Sequence, residues 1–125
     1  MDIHRIQREV AQARLKFAFV ELHPTGNGEV FVKACFQTTA RATYVVSVFF
    51  PNYPTQMPRI YVTTPQFSIN PPHRYKDGNI CYMHPNFWNP GRHDLEFVLA
   101  RTAKWLNKYD VWRATSTWPG AQIEH

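Results

Sequence analysis

The segment from residue 53 to residue 90, YPTQMPRIYVTTPQFSINPPHRYKDGNICYMHPNFWNP, decides how this chain is built around a candidate site. Its prolines predict a long irregular connection, interrupted by one short strand at residues 59–63. A compact domain rarely keeps so long an irregular segment unless the segment has a function. Cys81 follows the turn sequence Asp77-Gly78-Asn79 and shortly precedes Trp88. A thiol held beside a tight turn is a candidate nucleophile.

The chain before this segment predicts one helix followed by strands. Residues 2–15 place apolar side chains at helical spacing, and the negative charge of Asp2 suits the start of a helix. Three strand-like runs follow, at residues 16–23, 29–37 and 43–50. Gly26-Asn27-Gly28 predicts a hairpin turn between the first two runs. Together with the strand at residues 59–63, these runs predict a four-stranded antiparallel meander.

The chain after residue 90 predicts C-terminal helices. The clearer one covers residues 94–109, with Asp94 as its N-cap, and a shorter helical piece covers residues 110–114. The apolar side of the longer helix is expected to comprise Leu95, Val98, Leu99, Thr102, Leu106 and Tyr109. The whole pattern predicts a single α+β domain over residues 1–125: an N-terminal helix, the meander, a cysteine-bearing loop and the C-terminal helices.

Composition supports one globular core. The chain is 44% hydrophobic and 15% aromatic, which favours a packed domain over disorder. No apolar run approaches the ~20 residues that cross a bilayer, and the N-terminus lacks a signal-peptide pattern. We therefore expect a soluble, cytoplasmic protein with reduced thiols. Cys35 lies in an alternating strand pattern and is expected to be a small packing residue.

The net charge of +5 raises the question of an acidic partner. Nucleic acid is one such partner, but the basic residues are dispersed, with no run of adjacent lysines and arginines. A solvated basic surface is therefore the preferred interpretation, and nucleic-acid binding is the weaker alternative.

Cys81 admits several interpretations from the residues alone. It could be a reactive nucleophile, activated where positive charges such as Arg74, Lys76 and Arg92 approach the sulfur. It could instead be a buried structural cysteine. A Cys-His hydrolase remains open, although only its base is suggested. Zinc would need a second ligand pair beside Cys81 and the histidines at positions 73, 84 and 93, and no such pair is present.

The order of three motifs resembles that of the ubiquitin-conjugating enzymes. The motifs are Tyr53-Pro54 with Pro58, Gly78-Asn79-Ile80-Cys81 and Trp88-Asn89-Pro90, and the resemblance covers most of the chain. It implies that family's fold, and it implies that Cys81 receives a ubiquitin-like C-terminus as a thioester. The acyl group would then pass to an amine such as a lysine. No cofactor and no metal is implied.

The chain departs from the eukaryotic members of that family beside the cysteine. Those members carry His-Pro-Asn before the cysteine, and its Asn stabilises the oxyanion. The matching place here reads His73-Arg74-Tyr75, and the literal His84-Pro85-Asn86 lies on the other side of Cys81. Tyr75 and Asn79 are each able to donate a hydrogen bond. The supporting candidates are His73, Tyr75, Asn79, His84 and Trp88, the last of which is expected to close the loop by packing.

The shorter C-terminal portion is similar to a bacterial branch of conjugating-enzyme-like proteins. The similarity rests on Trp105-Leu106 and Trp118-Pro119-Gly120, together with the His-x-Tyr sequence before Gly-x-Ile-Cys. Members of that branch occur in CBASS antiphage operons. The similarity implies protein partners: a ubiquitin-like modifier or the C-terminus of a cGAS-like nucleotidyltransferase, and an activating enzyme. A non-catalytic protein-binding module of the same fold is the alternative.

Overall fold

One antiparallel sheet and two helices form the framework of the protein. The computed structural model describes residues 1–67 and 71–120, so three residues of the predicted domain's long loop and its last five residues lie outside the described part. The helices are α1 (Ile3–Ala13) and α2 (Leu95–Thr115). The strands are β1 (Phe19–Pro24), β2 (Val30–Gln37), β3 (Thr43–Phe49) and β4 (Arg59–Thr64). Neighbouring strands pair in chain order, which confirms the predicted meander.

Helix α1 begins where the sequence predicts. The carboxylate of Asp2 accepts a hydrogen bond from the amide of Arg5 at 3.0 Å, as an N-cap does. The predicted first strand, however, starts too early. The amides of Lys16 and Phe17 both donate to the carbonyl of Ala13, so this stretch completes the end of the helix. Strand β1 therefore begins at Phe19.

The apolar side chains on one face of the sheet face the helices. Val32 on β2 pairs with Val48 on β3, and both are fully buried. The turn between β1 and β2 is closed by a hydrogen bond from the amide of Thr25 to the carbonyl of Glu29 at 3.0 Å. Gly26 adopts a φ of 96°, a conformation that glycine reaches without a steric penalty. The predicted hairpin is confirmed.

Helix α2 is longer than predicted. It runs for 21 residues without a break, so the separate helical piece predicted at residues 110–114 is wrong. The carboxylate of Asp110 accepts hydrogen bonds from the hydroxyls of Thr38 and Tyr44 and so fastens this part of α2 to the sheet. Asp94 caps the helix as predicted, and the fold has one C-terminal helix in its described part.

A buried carboxylate joins the parts that hold the long loop. Glu9 on α1 is 6% exposed and pairs with Arg5. It also accepts hydrogen bonds from the hydroxyl of Tyr53, in the loop after β3, and from the amide of Leu95 at 2.8 Å. One side chain thus joins α1, the start of the long loop and the start of α2. No helix in the described ranges is both long enough and apolar enough to cross a bilayer.

Candidate active site

A compact turn presents Cys81. The carboxylate of Asp77 accepts a hydrogen bond from the amide of Asn79 at 3.0 Å, and Gly78 adopts a φ of 94° that closes the turn. The amide of Cys81 donates to the carbonyl of His73 at 2.8 Å. These bonds fold residues 73–81 back on themselves, which brings Tyr75 beside the cysteine.

The sulfur of Cys81 has a hydroxyl donor and little solvent exposure. The residue is 1% exposed. The hydroxyl of Tyr75 donates to its Sγ at 3.4 Å, and Sγ lies 3.8 Å from the carbonyl oxygen of Met83. Burial raises the pKa of the Cys81 thiol, and the hydrogen bonds with Tyr75 and the Met83 backbone offset that effect only in part. The cysteine therefore rests as a neutral thiol.

Cys81 nevertheless lies at the wall of a cavity of about 420 Å³. We call this space the cysteine cavity. Its lining residues are His73, Cys81, Tyr82, Arg101, Lys104, Trp105, Lys108, Trp118 and Gly120. A cavity of this size has room for several atoms of a ligand beside the sulfur. The buried cysteine is thus not enclosed by the hydrophobic core on all sides.

The last described residues border the same cavity. Ser116 adopts a φ of 61° and ends α2 in a left-handed turn, so residues 117–120 fold back along the helix. We call these residues the C-terminal strap. The indole of Trp118 lies with its centroid 4.9 Å from the ring of His73 and 5.4 Å from the ring of Trp105. The strap therefore forms an aromatic wall next to Cys81.

Three cations from α2 form another wall. Arg101, Lys104 and Lys108 all line the cysteine cavity. The Nε of Arg101 donates to the carbonyl of Tyr82 at 3.2 Å, which holds the guanidinium near the loop. Burial lowers the pKa of Lys108, and the like charges of Lys104 and Arg101 lower it further. The cavity is positively charged.

Two of the predicted supporting residues meet the cysteine directly. The hydroxyl of Tyr75 bonds to the sulfur. His73 contributes its main chain: its carbonyl accepts from the amide of Cys81 and from the indole Nε1 of Trp105, the latter at 3.1 Å. These two bonds hold His73 in its left-handed conformation, with a φ of 59°.

Asn79 and Trp88 do not line the cysteine cavity. Both line a second groove, of about 570 Å³, together with Tyr75. The side chain of Asn79 donates to the carboxylate of Asp77 and supports the turn. The indole of Trp88 donates to the carbonyl of Pro54 at 2.8 Å and packs against the core, so its predicted packing role is confirmed.

His84 is not brought to the sulfur by any contact within the described residues. Its Nδ1 accepts a hydrogen bond from the amide of Asn86 at 3.1 Å and caps the short 3-10 helix Pro85–Phe87. In the ranges 1–67 and 71–120, no three side chains among histidines, cysteines and acids come together in a way that would hold a metal ion.

The charges that line the cysteine cavity are not those that stand near Cys81 in the sequence. Arg74 places its guanidinium over the ring of Phe67, 5.5 Å from the centroid, and Lys76 lines the second groove. The cavity takes its cations from α2 instead. In the sequence, these three cations are spaced three and then four residues apart on one helix, which places them on the same side of it. The interpretation of the basic residues as dispersed missed this spacing.

Comparison with known proteins identifies a family over most of the chain. A family model described as a type II CBASS E2 protein matches residues 9–125. A search of curated proteins and a search of solved structures each returned no match. The match covers every described strand, helix α2 and the turn that presents Cys81.

Proposed function

We propose that this chain, which belongs to the family of type II CBASS E2 proteins, is a cytoplasmic acyl transferase with Cys81 as its nucleophile. It would have the fold of the ubiquitin-conjugating enzymes and act in CBASS antiphage defence. Its thiol would carry the C-terminus of a ubiquitin-like protein, or of a cGAS-like nucleotidyltransferase, as a thioester. The observation that carries the proposal is the thiol itself, which lies beside a hydroxyl donor at the wall of a cavity.

The first step is transthiolation. The sulfur of Cys81 attacks the carbonyl carbon of a donor thioester, a new S–C bond forms, and the donor's S–C bond breaks. The departing thiolate takes up the proton that Cys81 loses. Burial keeps most of the thiol neutral at rest, but even a small thiolate fraction is strongly nucleophilic.

Tyr75 is the best-placed group to stabilise the oxyanion of this step. Burial and the hydrogen bond to Cys81 raise the pKa of Tyr75, so the phenol remains a protonated donor at neutral pH. Its hydroxyl contacts the sulfur at rest, and it would lie near the carbonyl oxygen of an acyl group bonded to that sulfur. Tyr75 would therefore supply a hydrogen bond where the eukaryotic pattern has an Asn.

The second step is aminolysis, for which the second groove provides an approach. Tyr75 bonds to the sulfur and also lines this groove with Asp77 and Asn79. A hydrogen bond from the backbone of Asn79 lowers the pKa of Asp77, so its carboxylate stays ionised and attracts an incoming ammonium group. The ammonium group first gives one proton to solvent. The neutral amine then attacks the thioester carbonyl, a C–N bond forms and the S–C bond to Cys81 breaks. The proton that the nitrogen loses passes to the departing sulfur, so Cys81 leaves as the thiol.

Mass spectrometry of the protein after incubation with its candidate partners tests the proposal. We expect an adduct that reductant removes from the unaltered protein, and a more durable oxyester on Cys81→Ser. Cys35→Ser serves as the matched control, because Cys35 lies on β2 outside the cysteine cavity. An adduct that persists unchanged on Cys81→Ala would contradict the proposal.

The second candidate function is a non-catalytic protein-binding module of the same fold. The 1% exposure of Cys81 and its raised pKa favour this alternative, since both reduce thiol reactivity. The rate of Cys81 alkylation in the folded protein separates the two. A thiol that reacts only after unfolding would support the binding module.

A further inference from the structure

The cysteine cavity carries positive charge on one side. Arg101, Lys104 and Lys108 are three and four residues apart on α2, so they project from the same side of the helix. We call them the cation row. At about 1.5 Å of rise per residue the row is about 10 Å long, which matches about three residues of an extended peptide.

No carboxylate neutralises the row within residues 1–67 and 71–120. The acids of the described part that form ion pairs are Glu9 with Arg5, Glu96 with Lys16, and Glu21 with His23. None of them lines the cysteine cavity, and no other acid in that part does. Among the described residues, no acid at the cavity offsets the mutual repulsion of the three cations, and an acidic ligand would relieve it.

Aromatic rings form the rest of the space around the row. The indoles of Trp105 and Trp118 line the cavity, and the strap reaches Lys108 at Gly120, where an added Cβ would lie 3.2 Å from its Nζ. A bound chain would thus lie between apolar rings and ammonium groups, and it would need acidic side chains to match them.

We propose that the cation row selects an acyl donor whose last residues before the acylated C-terminus include acidic side chains. The inference rests on the proposed function, because it assigns the substrate class of that same thiol. With the C-terminal carbonyl at Cys81, the preceding two or three residues extend along α2 and their carboxylates pair with Lys104 and Lys108.

Short peptide thioesters test whether the cation row selects acidic acyl donors, and they require no natural partner protein. Three donors end in glycine as the thioester of N-acetylcysteamine, a neutral leaving group, and differ only in the two residues before that glycine: two Glu, two Gln or two Lys. Each is incubated with the Cys35→Ser protein, and transfer is followed by intact mass. Because the Glu peptide would form two partly exposed ion pairs with the row, we expect its transfer to be roughly tenfold faster than that of the Gln peptide. Transfer from the Lys peptide should be slower than from the Gln peptide.

Charge variants of the cation row test whether the row causes the preference for the Glu peptide. Lys104→Gln/Lys108→Gln should abolish the preference, and Lys104→Glu/Lys108→Glu should reverse it. The Gln variant keeps the test valid if the Glu variant does not fold. Arg8→Glu/Lys33→Glu is the matched control, since both side chains are exposed and neither lines the cavity. It should keep the preference for the Glu peptide.

The possible results separate this inference from the proposed function. Equal transfer from all three peptides, or a preference that the Gln variant retains, overturns the inference and leaves Cys81 as an acyl carrier. No transfer from any peptide, in a protein whose Cys81 reacts with iodoacetamide, contradicts the transferase function and the inference with it.

Discussion

Cys81 is buried, and it also lies at the wall of a cavity. Burial removes water from the sulfur and raises the pKa of the thiol, whereas the cavity gives a ligand a path to it. Hydrogen bonds with Tyr75 and with the Met83 backbone lower the pKa of Cys81, but less than burial raises it. In the proposed mechanism, Tyr75 is the neutral donor beside the sulfur.

The pH dependence of Cys81 reactivity follows from the raised pKa. We expect the alkylation rate in the Cys35→Ser protein to rise with pH and to reach its midpoint above about 8.5, the value of a free thiol. Because the folded state holds the proton more tightly, the thiol stabilises the fold fully below about 8.5. This contribution is lost as pH rises through the folded-state pKa. Iodoacetamide kinetics across the neutral and alkaline range measure the midpoint, and a value below that of a free thiol would refute this account of the site.

A substitution at Tyr75 can separate the role of its hydroxyl in acyl transfer from the packing of its ring. Tyr75→Phe removes the hydroxyl that contacts the sulfur and keeps the ring. We expect transfer from a glycine thioester to fall about 100-fold, as when an oxyanion donor is lost. The matched control is Tyr61→Phe, whose hydroxyl donates instead to Asp77 at 2.8 Å. Equal losses in both variants would rule out a specific role for Tyr75.

The cysteine cavity lies where α2 ends and the chain turns back along the helix. The left-handed Ser116 directs the strap along the helix, and Trp118 contacts both His73 and Trp105. We therefore expect the strap to limit how much of Cys81 a reagent can reach.

Truncation of the strap's indole tests this arrangement. Trp118→Ala should raise the alkylation rate of Cys81 several-fold, because the substitution removes one wall of the cavity. Trp112→Ala is the matched control. Its ring packs on Tyr109 with the centroids 5.9 Å apart and does not line the cavity. An unchanged rate in Trp118→Ala would show that the strap does not limit access to the thiol.

The sequence predicted elements better than it predicted the walls of the cavity. Alternation in the run that holds Val32, and the β-branched and aromatic residues of the run that holds Val48, were enough to predict two neighbouring strands of the meander. The separate helical piece predicted at residues 110–114 was wrong. The sequence does not show that Asp110 bonds to Thr38 and Tyr44, because these partners on the sheet lie far away along the chain. The cation row and the strap depend on the same kind of distant contact.

At the scale of the whole molecule, the site depends on a framework that holds a long loop between two helices. Glu9 is the residue that links these parts, through Arg5, Tyr53 and the amide of Leu95. Its loss would leave buried donors without an acceptor.

Glu9→Ala should therefore destabilise the whole fold. We expect the free energy of unfolding to fall by about 2–4 kcal/mol in urea titrations, from the unpaired donors and the lost packing. Glu21→Ala, on the partly solvated β1, should change it by less than about 0.5 kcal/mol. Similar small effects for both variants would contradict the role assigned to Glu9.

The proposed mechanism requires the sulfur of Cys81 to hold an acyl group in transit. Tandem mass spectrometry can locate the acyl group after the Cys35→Ser protein reacts with a glycine thioester peptide. We expect a thioester on the tryptic fragment that contains Cys81, and added free thiol should remove it. Acylation confined to lysines, with Cys81 recovered unmodified throughout the time course, would contradict the proposed mechanism.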